Sequence, residues 1–171
     1  GSQFAMEGGL GQASRQLESG LIVGALVAVN AFGNVHDVQG NIIAGARNPN
    51  GVGFADPVQA MTRTSWQTVD PPNQTAQRQN TTLGIVATNA ALTKSEATKV
   101  AQMAQAGLAR VIRPAFSPLD GDVVFALSTG DVQANVSVVG ALAAEVLAGA
   151  IVNAVMAAKS LHGVPSVSTD G

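Results

Sequence analysis

Residues 80–96 read NTTLGIVATNAALTKSE, and this stretch decides the class of fold. Thr82 to Thr88 is a short run with little polarity on either face, the pattern of a buried strand. Thr93-Lys94-Ser95-Glu96 then has the spacing of a capping box, with Thr93 as N-cap and Glu96 three residues on. Behind it Ala97, Val100, Ala101, Ala104, Leu108 and Val111 recur on one helical face, and Pro114 stops the pattern. A buried strand running into an amphipathic helix predicts sheets covered by helices, an α+β class of fold.

The neighbouring segments extend this reading. Leu21 to Val29 (LIVGALVAV) is a continuous apolar run and reads as a second strand. Asn41 to Ala46 is predicted to form a hairpin with it, across the turn signals at Gly33-Asn34 and Gly40. Gly8-Gly9-Leu10-Gly11 reads as a turn. Asp122 to Leu127 (DVVFAL) is a further strand, and Ser137 to Lys159 a long helix of small residues. That helix is long enough to span a bilayer, for which ~20 residues suffice. Its Glu145 and Asn153 among Ala, Val and Gly suit a close-packed core or subunit-interface helix better, and no membrane partner is expected. From Arg47 to Asn80 the composition turns to Pro, Gly, Asn, Gln and Thr without a pattern, too long for an ordinary loop.

Composition narrows the function classes. The 171 residues suit about one domain. Charged residues are only 12%, about half the usual share, and 46% are hydrophobic, which excludes a disordered chain. Nine basic against eleven acidic residues leave a net charge of −2 and no basic stripe, so nucleic acid is not an expected partner. The absence of cysteine excludes a disulfide scaffold, a thiolate zinc site and a cysteine nucleophile. His36 and His162 stand too far apart to form a metal motif, and no cofactor signature is present. So little charge implies a surface partly covered by other chain segments or subunits.

Three places combine polar residues with the ends of apolar strands. Asn80-Thr81-Thr82 is either a plain strand start or a self-cleavage site. In the second case the Thr81 hydroxyl attacks the Asn80 carbonyl, and the resulting ester is opened by water. Thr81 then becomes an N-terminus whose hydroxyl is a nucleophile and whose amine, with a reference pKa of about 7.7–8.0, is a base suited to neutral pH. Asp120-Gly121-Asp122 is either a turn or a pair of carboxylates orienting a hydroxyl or an ammonium. Asn30, closing the run Leu21 to Val29, is either a turn former or an oxyanion donor.

Taken in order, five segments resemble a known family. They are Gly8 to Arg15 (GGLGQASR), Gly24 to Gly33 (GALVAVNAFG), Asn80 to Leu92 (NTTLGIVATNAAL), Gly107 to Gly130 (GLARVIRPAFSPLDGDVVFALSTG) and the Ala-rich final helix. The series is similar to the self-cleaving amidases and aminopeptidases that include DmpA, the β-aminopeptidases and nylon-oligomer hydrolase. Asn80-Thr81-Thr82 and Asp120-Gly121-Asp122 resemble the nylon-oligomer branch most.

The resemblance implies a four-layer αββα sandwich of the N-terminal-nucleophile type, this chain supplying roughly the C-terminal half of the one domain. It implies cleavage between Asn80 and Thr81. Residues 1–80 then end a larger chain, with a long loop at 47–80, and residues 81–171 form a smaller one. Thr81 is implied as nucleophile, Asn30 as oxyanion holder, and Asp120 and Asp122 as orienting groups. A family lysine from an earlier Gly-Lys motif matches none of Lys94, Lys99 or Lys159, so the N-terminal remainder of the precursor is an expected partner. The implied function is an amide hydrolase or aminopeptidase acting on short peptides or ω-amino-acid amides. A homotetramer in the cytoplasm is expected, without cofactor or metal. An acyltransferase of the ornithine-acetyltransferase type and a non-catalytic assembly subunit are the alternatives.

Overall fold

The computed structural model describes residues 4–62, 80–118 and 120–167. Along the chain come β1 (Gly9–Gln16), β2 (Ile22–Val29), β3 (Asn34–His36), β4 (Ile42–Ala44) and α1 (Pro57–Met61). They are followed by β5 (Leu83–Ala90), α2 (Lys94–Val111), β6 (Ile112–Arg113), β7 (Val123–Val132) and α3 (Val136–Ala157). The main sheet has the order β1-β2-β5-β7, and a smaller sheet the order β4-β3-β6. The first three strands of the main sheet pair antiparallel; β5 and β7 pair parallel. A parallel pair needs a long crossover, and α2 lies within it.

The local signals hold best. Thr93 caps α2 in a complete capping box, accepting from the Glu96 N–H while the Glu96 carboxylate accepts from the Thr93 N–H. The Thr93 hydroxyl also donates to Glu96 Oε2 at 2.8 Å, and the Thr93 N–H first, then this hydroxyl, hold the Glu96 carboxyl below its ordinary value. The second long helix runs from Val136 to Ala157, capped by Asn135.

Two expectations are corrected. Gly8-Gly9-Leu10-Gly11 is not a turn, because β1 begins at Gly9. Its glycines answer a packing demand: a Cβ on Gly11 would lie 2.2 Å from the Ala150 carbonyl oxygen of α3. The hairpin between residues 21–29 and 41–46 does not form either. β2 folds back on β1 along an eight-residue ladder through a turn in which Gly20 takes φ +83°. Residues 42–44 instead pair with β3.

Helices α2 and α3 cover one face of the main sheet. Val23, Val27 and Val86 from the sheet, Val100 and Leu108 from α2, and Leu147 and Ile151 from α3 are fully buried there. Small residues let these layers approach; a Cβ on Gly107 of α2 would lie 2.0 Å from the Ala144 carbonyl oxygen of α3. By length and composition α3 could cross a membrane, and in this fold it packs on β1, β2 and α2. The opposite face of the sheet carries Leu10, Leu26, Leu83, Ile85, Phe125 and Leu127, each between 41% and 66% exposed. Leu26, Ile85 and Phe125 are direct neighbours across β2, β5 and β7.

Candidate active site

The ladders on both sides of β5 run on past its first residue, and this extension builds the site. On the β2 side, Thr81 stands opposite Asn30. The Thr81 N–H donates to the Asn30 carbonyl at 2.6 Å, and the Asn30 N–H donates to the Thr81 carbonyl at 3.2 Å. On the β7 side, Asn80 bridges to Asp120. There the Gly121 N–H donates to the Asn80 carbonyl at 2.9 Å, and the Val123 N–H to the Thr82 carbonyl at 3.1 Å. Candidates far apart in sequence are thus brought together by the register of one sheet.

The two adjacent threonines face opposite sides of the sheet. Thr81 is half-buried, and its Oγ1 donates to the carbonyl oxygen of Asn80 at 2.7 Å. Strand alternation turns Thr82 to the helix-covered side, where it is fully buried and its Oγ1 has no hydrogen-bond partner.

Both carboxylates accept from backbone N–H groups around this pair. Asp122 accepts from the Thr82 N–H at 2.7 Å through Oδ1 and from the Phe116 N–H at 3.1 Å through Oδ2. Phe116 sits at φ +54°, a conformation that a bulky side chain rarely adopts. Asp120 is buried; its Oδ1 accepts from the Phe32 N–H at 3.2 Å. Its Oδ2 accepts from the N–H and hydroxyl of Ser117. The pair therefore braces Phe32, two residues beyond Asn30, and Thr82, one beyond Thr81. Its link to Thr81 is through the neighbouring backbone rather than at the hydroxyl.

Sequence reasoning missed Gly121. A glycine between two aspartates reads as a turn former, yet a Cβ there would lie 2.6 Å from Thr81 Oγ1. The spacing of the two carboxylates about a glycine was the available signal.

Asn30 and Asn80 border a cleft of about 990 Å³, whose wall also includes Arg47, Asn48 and Asp56. That wall corrects the expectation of a patternless segment from residue 47. Asp56 caps α1, accepting from the N–H groups of Val58 and Gln59, with Pro57 in the first turn. The fully buried Asn34 ties the wall to β3, donating to the Ala55 carbonyl at 2.8 Å and accepting from the Ala46 N–H at 3.2 Å. The rest of the expected loop, residues 63–79, lies outside the described residues. Among the described residues, no three His, Asp or Glu side chains gather as a metal-binding group. The site offers hydroxyl, amide and carboxylate chemistry.

The chain as a whole has counterparts among known proteins. The model of peptidase family S58 matches residues 2–168. An uncharacterized aminopeptidase of Mycobacterium tuberculosis is 37% identical over 177 residues, covering 95% of this chain and 52% of its own length. The chain therefore spans about half the length of the curated relatives it matches. Among solved structures, the L-aminopeptidase D-Ala-esterase/amidase of Ochrobactrum anthropi, described as a variant of the Ntn hydrolase fold, superposes with a TM-score of 0.60. It is 24% identical, with 95% of this chain and 44% of that one covered. A β-aminopeptidase of Burkholderia sp. superposes with a TM-score of 0.52 at 29% identity, covering 88% of this chain and 42% of that one. The fold is that of the Ntn hydrolases, of which this chain forms part. The likeness to the nylon-oligomer branch rests on the sequence motifs alone. The chain belongs to peptidase family S58.

Proposed function

We propose, from membership in peptidase family S58, that the whole protein is an amide hydrolase of the aminopeptidase kind, activated by self-cleavage between Asn80 and Thr81. The observation that carries this reading is the Thr81 hydroxyl resting on the carbonyl of Asn80 at 2.7 Å. A hydroxyl held against its own preceding carbonyl is set for an N-to-O acyl shift, and water then opens the ester.

After the cut, Thr81 carries both a nucleophilic hydroxyl and an α-amine. That amine, with a reference pKa of about 7.7–8.0, takes the hydroxyl proton as Thr81 attacks a substrate carbonyl. The Asn30 carbonyl, which already accepts from the Thr81 nitrogen, keeps the amine in place. The Asn30 side chain is assigned to the substrate oxyanion, and Asp122 and Asp120 hold the two backbone segments in register. The substrate class, short peptides or ω-amino-acid amides with a free amino end, is the one that the resemblance to the aminopeptidases and the nylon-oligomer branch implies.

The test is intact mass spectrometry of the complete precursor. The wild type should yield a smaller fragment that begins at Thr81, and Thr81→Ala should abolish both processing and hydrolysis of aminoacyl anilides while leaving the melting temperature near its original value. A fragment starting at any other residue overturns the assignment.

A further inference from the structure

The geometry points to the backbone N–H of Gly121 as the oxyanion donor of self-cleavage, at a position kept free of a side chain by the nucleophile beside it. This rests on the reading of Thr81 as the self-cleaving residue and goes beyond it, because it assigns the group that stabilises the charge made in that step.

Three atoms converge. The Asn80 carbonyl oxygen accepts from the Gly121 N–H at 2.9 Å and from Thr81 Oγ1 at 2.7 Å. The space in which a side chain of residue 121 would begin lies 2.6 Å from Thr81 Oγ1. The donor is a fixed part of the extended β5–β7 ladder, through the bridge between Asn80 and Asp120 and the next rung from Val123 to Thr82. A preorganised backbone donor aimed at an oxygen that gains charge needs no rearrangement when the charge appears.

The chemistry balances as follows. Thr81 Oγ1 forms a bond to the Asn80 carbonyl carbon, and the carbonyl electron pair moves onto the oxygen that Gly121 holds. The bond from that carbon to the Thr81 nitrogen then breaks, and the hydroxyl proton ends on the nitrogen, whose other hydrogen remains on the Asn30 carbonyl. The product is an ester between Asn80 and the Thr81 side chain. Water adds to the ester and releases the Asn80 carboxylate and the Thr81 hydroxyl, the remaining proton passing to the amine or to solvent. Asn30 thus serves the departing nitrogen, while Gly121 serves the oxygen.

Two changes in the complete precursor test this. Gly121→Ala keeps the N–H but sets a methyl against Thr81 Oγ1. Translation with glycolic acid at position 121 replaces the N–H by oxygen and adds no side chain. Each should slow the appearance of the fragment that begins at Thr81 by about 10²-fold or more, followed by intact mass in the folded fraction. Hydroxylamine, which opens an accumulated ester, should fail to restore cleavage of Gly121→Ala, because the block lies before the ester forms. Self-cleavage within a few-fold of wild type in either precursor overturns the proposal, and so does restoration of Gly121→Ala by hydroxylamine. Self-cleavage that persists in Thr81→Ala would instead overturn the reading of Thr81, whatever position 121 does.

Discussion

The two faces of the main sheet are made of similar residues and end in different states. On one, Val23, Val27 and Val86 are fully buried beneath α2 and α3. On the other, Leu26, Ile85 and Phe125 lie side by side and open. A strand written IVGALVAV has no polar face to give to water. The open face is therefore composed for burial, and Thr81 lies on that side, in line with Leu83 and Ile85. The relatives are about twice as long as this chain; in the whole protein proposed above, a comparable further half would close over this face and over Thr81 with it.

The largest effect that bears on this contrast is catalytic. If Asp122 holds the nucleophile to the edge of the open face, Asp122→Ala in the complete protein should lower turnover by about 10²-fold or more, since a small misplacement of reacting groups costs that much. Leaving the Thr82 and Phe116 N–H groups without their acceptor should cost about 1–3 kcal/mol of stability each. Asp120→Ala should follow with a smaller loss of rate, because it braces Phe32 and Ser117 rather than the residue after Thr81. Kinetics and melting curves decide; lost melting temperature at unchanged turnover would make the pair a structural turn.

The next effect compares the faces directly. Leu147→Ala, on the covered side, should cost about 3–5 kcal/mol in denaturant unfolding. Leu26→Ala, judged by its exposure here, should cost less than about 1 kcal/mol. Closure of the open face in the complete protein should raise that to about 2–4 kcal/mol. A value that stays small would mean that this face remains open.

The smallest effect lies away from both faces. Thr93→Ala should cost about 1 kcal/mol by removing the cap of α2 and leave self-cleavage untouched. The Glu96 carboxyl, held low by the Thr93 N–H and hydroxyl, adds a pH signature. Its contribution is complete above the ordinary carboxylate value and fades as pH falls through the lower folded value. The gap between wild type and variant should therefore narrow in acid.

What could be read from the sequence was what is encoded locally. The capping box at Thr93, the stop at Pro114 and the long helix after Asn135 depend on residues within a turn or two of one another. Strand pairing does not: nothing near Leu21 says whether it pairs with residues before or after it, and glycines needed for contact with α3 passed for a turn. The short helix at Pro57 had its signal in Asp56-Pro57, hidden in a segment that composition alone marked as irregular. The site shows the same division. Asn30, Asn80-Thr81 and Asp120-Gly121-Asp122 stood out one by one, and only the register across β2, β5 and β7 made them neighbours. The Asp-Gly-Asp spacing marked the place of Gly121, while the part proposed for it lies in its backbone N–H.

The strand order β1-β2-β5-β7 carries one more consequence. The cut proposed before Thr81 would separate β2 from β5, adjacent strands at the centre of the sheet, so the two products would still share one sheet. A connection within one chain would then become an association between two. Closing the connection from β4 to β5 beforehand carries an entropy cost that rises only slowly with its length. Afterwards the same ladder is held as a complex, whose survival depends on the concentration of both pieces. The proposed cleavage would trade a covalent tether for mass action, and a dilute cleaved protein would become vulnerable to dissociation in a way its precursor is not.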